Sequence, residues 1–213
     1  MGEQLALIGI RVKRVVTISD QHQDIFEALA AASTDVVLIT GGLGPTKDDI
    51  TKDVLCRFFD TELVRDPQVE ARIVDMYLRM GRDPQDILEM NRAQADLPKA
   101  CTVVPNERGT ASGMSFERDG RVYVSMPGVP YEMKAMMEGG VLPGLQERFR
   151  PPTIVHRTVL TTGLGESLLA TRIADWEDSL AAERIKLAYL PSPGIVKLRL
   201  STYADRDAVA AHQ

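Results

Sequence analysis

The chain has 213 residues, a formal net charge of -5, and 44% hydrophobic and 26% charged residues. This suits one large or two small globular domains and argues against a general electrostatic affinity for nucleic acid. Two cysteines without a CxxC pair and three scattered histidines argue against a disulfide scaffold or a zinc-finger spacing. No signal peptide and no run long enough to span a membrane is read, so a soluble cytoplasmic protein without membrane contact is expected.

Leu5 to Gly9 reads as the last turns of a helix with a glycine stop. Arg11 to Ile18 reads as a strand, and Ser19-Asp20 as its end and the cap of a helix over Gln21 to Ala32. Val36-Val37-Leu38-Ile39 is a short apolar run expected to be a buried strand. Asp49 to Phe59 carries apolar residues at helical spacing. Asp66-Pro67 starts a helix that stops at Gly81, and Asp83-Pro84 starts another that ends before Pro98. Asn91 and Gln94 share a face of that second helix. Cys101 to Val104 reads as a strand, then Met114–Arg118 and Arg121–Ser125 as a hairpin across Asp119-Gly120. Tyr131 opens a helix to about Phe149, with Gly139-Gly140 as an interruption. Beyond Pro151-Pro152, strands over Ile154–Thr162, Ile185–Leu190 and Ile195–Tyr203 and a helix over Glu166–Ala182 form a small α+β module.

The stretch Thr40-Gly41-Gly42-Leu43-Gly44-Pro45-Thr46-Lys47-Asp48-Asp49 joins a strand to a helix, the edge at which open α/β sheets bind ligands. Its glycine amides can form an anion cradle, helped by the positive end of the following helix. Thr51 is a candidate N-cap, and Thr46 with Asp49 a competing capping pair. Lys47 can offset phosphate charge. Two carboxylates, Asp48 and Asp49, fit an anion-binding loop if a hard divalent cation joins them to phosphate. The competing reading is a tight turn with solvated first-turn charges. The turn is neither a Walker A nor a GxGxxG loop.

TGGLGPTKDD at 40–49, PNERGTASG at 105–113 and PGVPYEM at 127–133 resemble the competence/damage-inducible protein CinA family. GLGES at 163–167 and YLPSPGIVKLRL at 189–200 resemble the KH-type domain that follows in that family. The resemblance implies an α/β fold: a three-layer molybdopterin-binding (MoaB/MogA-like) domain with a mostly parallel sheet over residues 1–150. A small KH-like α+β domain over 153–213 is implied after it. The usual opening strand and its Gly-Asp-Glu loop are read as missing, as is the C-terminal nicotinamide-mononucleotide deamidase domain. No GxxG clamp loop is visible, so nucleic acid is not expected as a partner.

Members of the family are similar to ADP-ribose pyrophosphatases that need a divalent metal such as Mg2+. Two aspartates important in the wider molybdopterin-binding family match Asp49 and Asp20; Lys47 and Glu132 complete the candidate catalytic set, with Asp20 or Glu132 as base. Thr40, Gly41, Gly42, Gly44, Thr46, Asn106 and Gly128 are the implied phosphate or nucleotide contacts. Asp48 and Asp49 are the implied metal ligands, with Glu132 a further candidate. A pterin-cofactor transferase and a non-catalytic nucleotide-binding module are the alternatives. A nucleotide or pterin-like small molecule is thus the expected substrate, and a homodimer the expected assembly.

Overall fold

The computed structural model describes residues 1–204; the end of the expected second domain, residues 205–213, lies outside them. The chain divides into two compact units, Lys13–Leu145 and Met1–Val12 together with the segment from Gln146 onward. Helix α1 (Gly2–Leu7) belongs to the second of these. There the Pro152 carbonyl sits where a Cβ on Gly9 would approach it to 2.1 Å.

Residues 11–19, across the start of the larger unit, take no regular secondary structure, so the strand expected over Arg11–Ile18 does not form. Val15, Val16 and Ile18 are 84%, 51% and 42% exposed. β-Branched residues favour extended backbone, but a strand also needs a neighbour for its N–H and C=O groups. No described strand pairs with this one. Helix α2 (His22–Ala30) follows, with Gln21 at its N-cap instead of Asp20. The Ser19 hydroxyl turns to Asp24 in the first turn of that helix.

Next come β1 (Val36–Thr40), α3 (Thr51–Phe59), β2 (Leu63–Arg65) and α4 (Pro67–Arg79). The Asp66 carboxylate caps α4 by accepting from the amides of Gln68 at 2.8 Å and Val69 at 3.0 Å, as the Asp-Pro pair predicts. The expected helix after Asp83 is broken into a 3-10 turn, Pro84–Asp86, the short α5 (Glu89–Arg92) and a second 3-10 turn, Ala93–Ala95. It then runs into a strand that the sequence reading lacks, β3 (Asp96–Pro98), which pairs antiparallel with β2.

β4 (Thr102–Val104), β5 (Gly113–Arg118) and β6 (Arg121–Met126) complete the main sheet, in the order β1-β6-β5-β4. The α/β class holds. β1 runs parallel to β6, while β6 with β5 and β5 with β4 are antiparallel. Asp119 and Gly120 both have positive φ, 51° and 75°, as a two-residue hairpin turn requires. α6 (Pro130–Met136) passes through a π turn over Met137–Val141, at the expected glycine interruption, into α7 (Leu142–Phe149).

One face of the sheet packs on α2, α3 and α4 through Leu29, Val54, Leu55, Phe58, Ile73 and Phe116. Phe59 stacks on Phe116 with ring centroids 4.1 Å apart. Such burial at roughly 25 cal/mol per Å2 of apolar surface is what holds α3, and with it the loop before α3, in place.

The second unit contains β7 (Thr153–Thr162), α8 (Glu166–Arg172), α9 (Ala174–Leu180), β8 (Lys186–Ser192) and β9 (Ile195–Ala204). Its sheet is antiparallel, in the order β7-β9-β8. The single helix expected over Glu166–Ala182 is two helices meeting at Ile173. Leu169, Val196 and Leu198 form its core.

Candidate functional site

β1 and β6 are parallel and stop together, with Thr40 opposite Met126. Their following turns therefore leave the same edge of the sheet. The Gly41 amide donates to the Met126 carbonyl at 3.0 Å, extending the ladder by one bond. A Cβ on Gly128 would lie 3.2 Å from the Gly41 Cα, so the two turns are in backbone contact. The structure thus brings 40–49 and 127–133 together, and it removes the Gly41 amide from the set free to hold phosphate.

Gly42 has φ 67°, and a Cβ there would come within 2.1 Å of the Thr51 hydroxyl. Only glycine combines that backbone with that approach. Thr51 is not the N-cap of α3; it is the first helical residue, and its hydroxyl donates to the Gly41 carbonyl at 3.1 Å. Its amide donates to the Gly42 carbonyl at 3.2 Å. The amides of Gly42 and Leu43 have no protein acceptor among the described residues.

The remaining loop donors converge on an anion that the chain itself supplies. One oxygen of Asp49, Oδ2, accepts from the Thr46 hydroxyl at 2.6 Å and from the Thr46 amide at 3.0 Å. A Cβ on Gly44 would sit 2.4 Å from the same oxygen. Partial burial works to raise the Asp49 pKa, but the Thr46 hydroxyl and amide, the Gly44 amide and the Lys52 charge outweigh it, leaving the carboxyl below its usual value. Lys47 and Asp48 are exposed at the tip of this loop. Neither side chain has a hydrogen-bond or ion-pair partner among the described residues, while the Asp48 carbonyl accepts from the Ile50 amide at 3.1 Å.

Asn106 and Glu132 lie in a separate buried knot. Asn106 is fully buried and Glu132 is 8% exposed. The Asn106 Nδ2 donates to Glu132 Oε2 at 2.7 Å and to the Ala111 carbonyl at 2.9 Å, while its Oδ1 accepts from the Arg108 amide at 3.0 Å. A Cβ on Gly109 would be 2.2 Å from Glu132 Oε2. Both ends of the Asn106 side chain are thus engaged, with its own loop and with Glu132 of α6.

Arg72, which the sequence reading passes over, stitches this loop from α4. Its guanidinium donates to the carbonyls of Asn106, Gly109 at 3.0 Å and Thr110 at 3.2 Å, and to the Ser112 hydroxyl at 3.0 Å. Burial lowers its pKa without a paired carboxylate. Asp20 is exposed at the end of the unpaired segment. Among the described residues no three His, Cys, Asp or Glu side chains stand close enough to hold a metal together. Asp20 and Glu132 are therefore not grouped with Asp48 and Asp49.

Lys52 is a second residue the sequence reading misses. It is 8% exposed, and its Nζ donates to the carbonyls of Asp96 at 3.1 Å, Gln94 at 3.2 Å and Ala93 at 3.4 Å. Burial lowers its pKa, against the charges of Asp96, Asp53 and Asp49. It ties α3 to the 93–96 segment. Between that segment and the 44–49 loop lies an open cleft of about 180 Å3, lined in part by Thr46, Asp49, Lys52, Met90 and Gln94. The Asp96 carboxylate at its border is held by Arg65.

A β1-turn-α3 edge carrying this glycine turn defines an α/β domain of the molybdopterin-binding type, and residues 1–147 match the family described as "Probable molybdopterin binding domain". Residues 156–213 match "Damage-inducible protein CinA KH domain", and the chain belongs to the CinA family. It is 46% identical over 203 residues to a CinA-like protein of Flavobacterium psychrophilum and 44% identical over 207 residues to one of Cytophaga hutchinsonii. Those matches cover 94% and 96% of this chain but 48% and 49% of the relatives, so the chain spans about half their length. The solved structure of the protein CinA from Thermoplasma acidophilum, titled as of unknown function, is similar at TM-score 0.58 and 29% identity. That likeness covers 67% of this chain and 82% of the other. Among the described residues no helix is long and apolar enough to cross a membrane.

Proposed function

We propose that the 40–49 turn binds the diphosphate of a nucleotide such as ADP-ribose and supports its metal-dependent hydrolysis. The observation that carries this is the unpaired amide of the half-buried Gly42, with that of the buried Leu43 behind it, at a strand end, beside the start of a nine-residue helix and the free side chains of Lys47 and Asp48. Unpaired amides at a helix start attract phosphate oxygen. Lys47 would offset charge that develops on those oxygens.

The donor set suits a divalent cation. Such an ion, Mg2+ above all, takes one or two carboxylates and completes its shell with water and substrate phosphate. Asp48 offers a carboxylate without a protein partner, and Asp49 retains acceptor capacity beyond its bonds to Thr46. When bound, the cation would neutralise phosphate charge and lower the pKa of a coordinated water. Asp49 would meanwhile keep Thr46 and Gly44 in place, so that the loop presents its free amides without reorganising. Glu132 and Asn106 would support the neighbouring loop from beneath. A homodimer and a soluble, cytoplasmic setting belong to the same proposal, as does the absence of a nucleic-acid partner.

The reading is tested by incubating the protein with ADP-ribose and Mg2+ and assaying for AMP. Metal-dependent release of AMP is expected. Tight binding of ADP-ribose with no AMP formed would favour a non-catalytic nucleotide-binding module.

A further inference from the structure

Gln94 carries an unmet hydrogen-bonding requirement beside the glycine turn. The residue is 2% exposed, and its Oε1 is buried with no partner. A buried acceptor without a donor is costly, and such groups in a folded protein call for an explanation. The buried Lys52 ammonium, which reaches the Gln94 backbone, does not meet it. Lys52 has three ammonium hydrogens, and its Nζ contacts three backbone carbonyls, that of Gln94 among them. Gln94 also lines the cleft of about 180 Å3 that shares Gly44, Thr46 and Asp49 with the turn.

The charge of the cleft narrows what can enter. Asp49, Asp53 and Asp96 line it together with one cation, Lys52, while Arg65 holds the Asp96 carboxylate at the border. With that cation turned to the 93–96 backbone, the walls offer acceptors and little else. A phosphate would be repelled. A neutral group with N–H or O–H donors, set against the thioether of Met90 and the ring of Pro45, suits the lining.

We infer that this cleft is the subsite for the nucleoside end of the ligand, and that Gln94 accepts a hydrogen bond from a neutral donor there, either a ring amino group or a sugar hydroxyl. The inference rests on the proposed function, because it takes the phosphates to lie at the Gly42–Leu43 amides. It adds an orientation: phosphates at the turn, nucleoside toward the 93–96 segment.

The test is equilibrium binding of ADP-ribose, and of its inosine analogue, to the wild-type chain and to Gln94→Met, with calcium in place of magnesium to slow turnover. Inorganic phosphate serves as a second probe of the turn alone. Gln94→Met should weaken ADP-ribose about tenfold, leave phosphate affinity unchanged and leave the urea midpoint equal or higher, because an orphaned acceptor has been removed. If the ring amine is the donor, the wild type binds the inosine analogue about as weakly as the variant binds ADP-ribose. If a hydroxyl is the donor, the wild type binds both ligands equally. Undiminished ADP-ribose affinity in Gln94→Met would overturn the inference while leaving the turn reading intact. A variant that fails to fold would also overturn it, since Gln94 would then be holding the structure. A wild type that binds phosphate but not ADP-ribose would remove the nucleotide reading and this subsite with it.

Discussion

Thr46 and Asp49 close the glycine turn on itself, with hydroxyl and amide of the first donating to a single carboxylate oxygen of the second at 2.6 and 3.0 Å. The aspartate that the sequence offers as a metal ligand is therefore also the anion that shapes its own loop. Asp49→Asn should lose turnover and also about 1 kcal/mol of stability, the usual worth of such a cap-like contact. The pH dependence has a definite sign. The folded carboxyl has a pKa below the ordinary 3.8, so its contribution is fully present above that value and lost as pH falls through the lowered one. Urea midpoints of wild type and variant should converge under acid and separate by pH 5.

Lys52 gives the opposite case. Lys52→Met keeps the buried stem but leaves three carbonyls without their donor, a loss of roughly 2–3 kcal/mol near neutral pH. Burial holds the folded pKa below the ordinary 10.5, so the unfolded chain binds more protons between the two values. Wild-type stability should accordingly rise with pH on approaching 10.5 relative to the variant, whose residue does not titrate. Chemical denaturation from pH 8 to 10.5 measures the difference directly.

Gly41 and Gly42 are adjacent yet unequal. Both have positive φ, at 102° and 67°, but a Cβ at Gly41 meets nothing within 4 Å while one at Gly42 strikes the Thr51 hydroxyl. Gly41→Ala should cost backbone strain alone, roughly 1–2 kcal/mol. Gly42→Ala should cost more, because it also breaks the Thr51 bond to the Gly41 carbonyl. Equal urea midpoints for the two variants would contradict the packing described for the turn.

Arg72→Lys should loosen the 105–113 loop without unfolding the domain. The planar guanidinium reaches four acceptors on that loop, and a lysine ammonium cannot reproduce its fork. Faster amide exchange confined to residues 106–112 is the expected result; uniform exchange rates would place the loop's support elsewhere.

How much of this was legible in the sequence depends on the range of the interactions. The β1 run, the Asp66-Pro67 cap and the Asp119-Gly120 hairpin were readable because each is a local pattern with a local cause. Thr46 and Asp49 do pair, as their spacing suggests, but the contact closes the loop and neither it nor Thr51 caps α3, whose N-cap is Ile50 without a side-chain bond. Val15 to Ile18 has the composition of a strand, but composition supplies only half of one, and the missing half is a neighbour. Lys52 and Arg72 were silent because their partners lie 34 to 44 residues away. The pairing of Asn106 with Glu132, expected as a nucleotide contact and a catalytic residue, was silent because 26 residues separate them and only their shared burial joins them.

The most direct test of the central claim compares AMP formation from ADP-ribose by wild type and Asp48→Asn across a magnesium titration. The Asp48 side chain is exposed and unpartnered, so its replacement should leave the unfolding free energy within about 0.5 kcal/mol of wild type. The account predicts magnesium-dependent AMP release by the wild type and its loss in the variant. Release of AMP by Asp48→Asn at the wild-type rate and the same magnesium dependence would contradict it.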